Sequence, residues 1–370
     1  MNQYLDIQYL ILPIFICCLI LSCLIIKKLI PTNAAFESLS RTSPLDGLRG
    51  VLALSVLVHH FYITYIWKTQ GEWVRPESDL LNNMGAIPVS LFFLITGYLF
   101  LNKIQKSEIN WKQLYILRLK RIVPLYAFVT FIVLGITLMS IHLSEYSLSQ
   151  YIKWILGWVL FKGSSLETFP SPQIIAGVNW TLLYEWGFYF SLPLIHALVH
   201  KKISNKHIFV ITFILFLVVF LETKRSLYLL FLLSFISIYY KNKIEGLIKE
   251  KTKLLNILLP SILLISLIFT TAYSTPQKIL LSIVFAFICN GYNFFGLLNH
   301  AGIRILGDIS YSTYLIHGLI LYLSFSILNV YDFSQGLIHY YLLFPLVFSV
   351  VVITSFATYH FIERPFLKRK

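Results

Sequence analysis

The stretch DGLRGVLALSVLVHH, Asp46 to His60, sets an Arg and a His eleven residues apart in an otherwise apolar run. On a helix, eleven residues advance about 16 Å and complete close to three turns, so Arg49 and His60 share one face. Asp46 falls within roughly 40–60° of the same stripe, whereas His59 lies about 80–100° round the helix. Ionisable groups within an apolar span are costly, and the default reading is that they serve function. A neutral imidazole can take a proton from a hydroxyl near neutral pH, or can itself receive an acyl group. An Arg at the mouth of the same cavity can hold a phosphorylated or carboxylated donor through paired N–H bonds. The plainer alternative for His60 is an interhelical hydrogen bond, which leaves the alignment with Arg49 unexplained.

Five further groups stand out. In RLKR, Arg118 and Arg121 are three apart and share a helix face; beyond anchoring a basic membrane face, such a pair can grip phosphates bidentately. Glu185, between Trp180 and Tyr189, is an intramembrane carboxylate that needs a partner; it either pairs structurally with Arg or His, or orients His60 and binds an acceptor hydroxyl. His317 falls at nearly the depth of His60 and can meet it across a bundle, with Tyr314 on its face and Tyr311 one turn earlier. Gly97 beside Thr96 reads as a close helix approach. Glu363 and Arg364, before Pro365, read as a cap or pair at the membrane surface. No HExxH, CxxC, GxSxG, phosphate loop or dinucleotide fingerprint occurs, which disfavours metal catalysis, a hydrolase triad, and a nucleotide hydrolase or dehydrogenase.

These residues must be positioned by membrane helices. The 370 residues are 57% hydrophobic and 12% charged, and apolar runs of roughly 17–25 residues, enough to cross a hydrocarbon core, recur along the chain. The sequence thus predicts an all-α, polytopic integral-membrane helical bundle of about eleven transmembrane helices (10–12). Spans fall near 8–27, 46–66, 86–102, 122–141, 180–199, 207–222, 225–240, 254–273, 278–297, 308–329 and 338–361. The net charge of +14 is gathered in short loops, including the tail ERPFLKRK; this is a topology signal rather than a nucleic-acid footprint. Alternating the crossings puts those loops on one face, which predicts an outside N-terminus and a cytoplasmic C-terminus. Between 142 and 179, YIKWILGWVLF is too short to span and suits an interfacial or re-entrant helix, which either covers an outward-facing site or is merely anchored by its aromatic residues. Cys17, Cys18, Cys23 and Cys289 read as small hydrophobes without metal or disulfide spacing. The first run lacks a basic n-region and a cleavage site, so it reads as a retained helix over 1–30 preceding one integral domain over 43–370.

With these residues in place, the chain resembles the membrane acyltransferase 3 family. DGLRGVLALSVLVHH matches its opening signature, and SLFFLITGYLF, RLKRIVPLY, WTLLYEWGFYFSLPL, LGDISYSTYLIH and IERPF follow in the family's order over about 46–366. The resemblance implies an inner-membrane O-acyltransferase that moves an acetyl or other short acyl group from cytoplasmic acyl-CoA, chiefly acetyl-CoA. The implied acceptor is a hydroxyl of a surface or lipid-linked polysaccharide, such as lipopolysaccharide O-antigen, capsule or exopolysaccharide. His60 would be the catalytic His, with Arg49 its partner or a donor contact, and Arg118 and Arg121 would bind CoA phosphates. Asp46 and Glu185 complete the candidate catalytic set; Trp180, Tyr189, His317 and Tyr314 are candidate substrate contacts. No resident metal is expected, and the partners are acyl-CoA, the glycan acceptor and membrane lipids. Nothing in the chain matches the periplasmic hydrolase-like domain that some members append. A transporter or flippase for a glycan or small solute is the alternative from another class, though no repeated half-sequence supports it; a purely structural scaffold leaves the Asp46–Arg49–His60 stripe unexplained.

Overall fold

The structure, a computed structural model, describes residues 7, 9–29, 43–106, 109–142, 144, 146–166, 169–203 and 205–367. Residues 30–42 and the basic residues beyond 367, on which the expected orientation partly rests, lie outside the described residues. Helices α1 (Ile11–Leu29), α2 (Pro44–Gln70), α3 (Asp79–Lys106), α4 (Trp111–Ser140), α5 (Leu148–Val159) and α6 (Trp180–His200) come first. They are followed by α7 (Lys206–Glu222), a broken helix α8 (Arg225–Tyr239), α9 (Lys241–Phe269) and α10 (Thr275–Cys289). The chain closes with α11 (Ala301–Asp308), α12 (Ser310–Tyr322) and α13 (Leu337–Leu367). The described residues form a helical membrane bundle in which six helices are long and apolar enough to cross, or seven if α7 and α8 count as one span.

The difference from eleven hydropathy peaks lies in the breaks. A hydropathy sum runs through a bend, but the chain turns by 114° between α7 and α8. Likewise α10 has 15 residues, and α12 has 13 before passing into the π turn Leu323–Ile327.

The local sequence of α2 explains both its limits and its place. Ser43 caps it by accepting from the Leu45 N–H at 3.3 Å, Pro44 stands where a missing N–H costs nothing, and Asp46 lies in the first turn. At the other end Gly71, at φ 80°, closes a left-handed cap on the Trp67 carbonyl and sends the chain back over the helix end. Gly47 and Gly50, three apart, let the Leu298–Gly307 region approach backbone to backbone, and Gly307 in turn lies against the Asp46 carbonyl. Small residues are what permit such contact between membrane helices. The spacing DGLRG therefore anchors the helix and leaves Arg49 free to face elsewhere. Gly97 also serves packing, lying against the Phe231 carbonyl and Ser234.

Two parts depart from expectation. The aromatic helix α5 turns Trp154 and Trp158 into the core, at 2% and 0% exposure. Tyr126 donates to the Trp158 carbonyl at 2.7 Å, and the Trp158 ring N–H donates to the Ser164 carbonyl at 3.0 Å. The cover over the site comes instead from Ala176–Val178, where Ala176 and Gly177 take positive φ and the backbone rests on Gly318. Glu363, expected at the membrane surface, is 1% exposed and accepts from Ser312, whose hydroxyl also receives the Thr358 hydroxyl at 3.1 Å. The π turn Tyr359–Glu363 rotates it inward, which no 3.6-residue wheel anticipates.

A Cβ on Gly307 would run into the Asp46 carbonyl. Gly307→Ala should therefore destabilise the protein by about 1–3 kcal/mol, read as a lower melting temperature in detergent. Gly135→Ala, whose Cβ would meet nothing within 4 Å, should hold or raise that temperature; equal effects of the two would contradict this packing.

Candidate active site

His60 and His317 meet, with Nδ1 of His60 2.9 Å from Nε2 of His317 and the rings stacked at 5.1 Å and 29°. Nδ1 of His317 lies 3.1 Å from the Thr313 carbonyl oxygen. A carbonyl only accepts, so Nδ1 of His317 carries a proton. With both rings neutral, Nε2 of His317 is then the acceptor and Nδ1 of His60 the donor. That leaves the lone pair of His60 on Nε2. Trp73 also stacks with His60, at 6.3 Å and 22°, so the ring has two planar neighbours. His59 is tied elsewhere, its Nδ1–H donating to the Leu81 carbonyl at 2.8 Å.

His60 opens into a cavity of about 340 Å³. The walls include Trp73 and Arg75 after α2, Ala176–Val178, Trp180, Tyr273 and Tyr314. Tyr273 is fixed by a buried network. Asn83, fully buried, donates to the Leu267 and Thr270 carbonyls at 3.0 and 2.6 Å. Gln277 donates to Asn83 at 2.7 Å and accepts from the Tyr273 N–H at 2.8 Å. Buried amides of this kind are worth keeping only when their bonds are met, and these fix the turn into α10.

A second cavity of about 250 Å³ gathers Arg49, Arg118, Arg121, Glu185, Tyr189 and Tyr311. Arg118 lies over the Phe100 ring at 5.3 Å, and Tyr189 donates to Glu185 at 3.0 Å. Arg49 and Arg121 make no hydrogen bond or ion pair to a described residue, while the charges of Asp46 and Glu185 act on Arg49. Three guanidinium groups against one lining carboxylate make an anion site, and planar forks suit phosphate. The carboxyl of Glu363 feels Arg121 and Arg49 from behind.

The cavities share two walls, Val89 and Tyr314. Tyr314 is pinned between them, its hydroxyl 3.0 Å from Thr181 Oγ1 and donating to the Val178 carbonyl at 3.3 Å. Helix α2 thus supplies Arg49 to one chamber and His60 to the other, so the shared face does not put both in one cavity as expected. Arg118 and Arg121 do face one cavity, and Trp180 lies with His60. Glu185 and Tyr189 join the arginines rather than His60, and His317, at 0% exposure, stands behind His60 without lining either cavity. Asp46 also lines neither, and its Oδ2 is buried without a hydrogen bond. Trp73, Arg75 and Tyr273 escape sequence reading because they sit on short connections with no periodicity; the only signal is the cluster GEWVRPE after the helix-ending Gly71.

Comparison with known proteins bears on the family of the chain. The chain is 32% identical over 169 residues to acyltransferase MdmB of Streptomyces mycarofaciens, covering 44% of this chain and 41% of that protein. It is 29% identical over 142 residues to an uncharacterized protein of Haemophilus influenzae, covering 35% of this chain and 57% of that one. The chain therefore spans about half the length of the curated relatives it matches. No solved structure matches it. A family model described as an acyltransferase domain matches residues 44–360, from the first turn of α2 into α13. The chain belongs to the membrane acyltransferase 3 family.

Proposed function

We propose that this protein is an O-acyltransferase of the bacterial inner membrane that moves an acetyl or other short acyl group from acyl-CoA to a hydroxyl of a surface or lipid-linked glycan. The observation that carries the reading is the hydrogen-bonded His60–His317 pair, which leaves a basic nitrogen facing one cavity while the arginine cavity adjoins it across Tyr314. The arginine end is read as cytoplasmic, because it carries the basic loops. Residues 43–370 form the acyltransferase unit, with α1 an added helix. Acetyl-CoA fits the arginine cavity by charge: Arg49, Arg118 and Arg121 hold its phosphates, and Asp46 and Glu185 temper and orient them. The about 16 Å rise from Arg49 to His60 is then crossed by the pantetheine arm, which needs Tyr314 to turn aside.

In the reaction, Nε2 of His60 takes the proton of the acceptor hydroxyl as its oxygen attacks the thioester carbonyl. The new C–O bond forms, the C–S bond breaks, and the departing thiolate recovers the proton from His60, giving the ester and free CoA. His317 holds the tautomer this step requires. The sugar acceptor is supported by the aromatic walls Trp73, Trp180 and Tyr273, which match the apolar faces of sugar rings. Two adjoining cavities would also suit a transporter; acyl-CoA consumption without net solute movement would exclude that alternative.

His60→Ala should lower acyl transfer by at least about 10²-fold at unchanged membrane levels, and His317→Ala, which frees the tautomer, by about 10²–10⁴-fold. His59→Ala should keep most of the activity; full transfer of acetyl from labelled acetyl-CoA by His60→Ala would overturn the reading. Arg121→Ala should raise KM for acetyl-CoA by roughly 10-fold or more, in line with the loss of a charged hydrogen bond. KM for the acceptor should stay constant, and the reverse pattern would place the donor in the other cavity.

A further inference from the structure

The walls of the histidine cavity include no Asp or Glu, and apart from His59 and His60 their one ionisable basic side chain is Arg75. Glu72 and Glu77 stand within three residues of it on the same loop. Even so, Arg75 makes no ion pair or hydrogen bond to any described residue. The loop that carries it is held at both ends. Gly71 closes the cap of α2 on one side, and on the other the carbonyl of Pro76 accepts from Asn82 at 2.6 Å, with Pro76 itself buried. Between these anchors Trp73 lies on His60, so the geometry that fixes the stacked indole also holds Arg75 at the same cavity. A guanidinium without a carboxylate partner among the described residues, exposed at the wall of a sugar-sized, aromatic-walled space, is matched by a carboxylate or phosphate.

Resting on the reading of this cavity as the acceptor side, we propose that the acceptor bears an anionic group, a carboxylate or a phosphate, which Arg75 receives while a hydroxyl of the same sugar lies at His60. Arg75 then fixes which hydroxyl faces Nε2 and selects acidic or phosphate-linked sugars over neutral ones.

The test uses the full-length protein in a neutral maltoside detergent, with binding followed by the fluorescence of its tryptophans. The probes are methyl β-D-glucoside, methyl β-D-glucuronide and glucose 1-phosphate, and the variants are Arg75→Gln and Arg75→Lys, with melting temperature as a check of folding. Wild type should bind the glucuronide or the phosphate about 10-fold or more tightly than the glucoside. Arg75→Gln should erase that advantage, Arg75→Lys should keep part of it, and added salt should weaken it. The better of the two anions separates an acidic sugar from a phosphate-linked one. No advantage in wild type, or one that survives Arg75→Gln, overturns the proposal; so does displacement of the sugars by phosphatidylglycerol, which would make Arg75 a lipid headgroup contact. Failure of the acyltransfer reading shows separately, as acyl transfer that persists in His60→Ala.

Discussion

The hydrogen bond between Nδ1 of His60 and Nε2 of His317 is where the rest of the structure converges. It works only because His317 is itself turned by the Thr313 carbonyl, an acceptor supplied by its own helix four residues earlier. A buried polar pair is worth its desolvation when each partner is satisfied and its geometry is held. Here α2 brings one ring, α12 the other, and Trp73 closes the stack. Glycine contacts make that meeting possible. Gly50 and Gly307 draw α2 against α11, which leads directly into α12, and Gly318 lets the backbone at Ile175 and Ala176 cross beside His317.

The chambers on either side of Tyr314 differ in what they can hold. One has three guanidinium groups and a single lining carboxylate; the other has imidazoles, indoles and an arginine at its mouth. Under the proposed reaction, separate chambers would keep a charged donor and a polar acceptor out of each other's site until the side chain between them moved. Tyr314, only 8% exposed and held by Thr181 and Val178, would then also keep water from the thioester. Glu363, Ser312 and Thr358 form a third layer behind the arginines, buried where a surface cap was expected.

Much of this was legible in the sequence where regular helix carries the residues. Arg49 and His60 face one way because eleven residues nearly close three turns, and Arg118 and Arg121 share a cavity because three residues nearly close one. His317 could be expected near His60 from depth alone. Side-chain direction between helices is different: Glu185 shares no element with the arginines it joins, and its distance from His60 depends on how α6 packs. Breaks were also hidden. Hydropathy reads through the bend between α7 and α8 and through the π turns at Leu323–Ile327 and Tyr359–Glu363. Short connections hid Trp73, Arg75 and Tyr273, whose places depend on Gly71, Pro76 and the Asn83–Gln277 network rather than on any pattern.

If donor and acceptor meet at His60 across Tyr314, a cryo-EM structure with acetonyl-CoA, a ketone that cannot release its acyl group, should show it. The account predicts CoA phosphates against Arg49, Arg118 and Arg121, Tyr314 turned from Thr181, and the ketone carbonyl beside Nε2 of His60. A donor that enters through the Trp73 cavity, or one whose ketone stops among the arginines with Tyr314 unmoved, would contradict it.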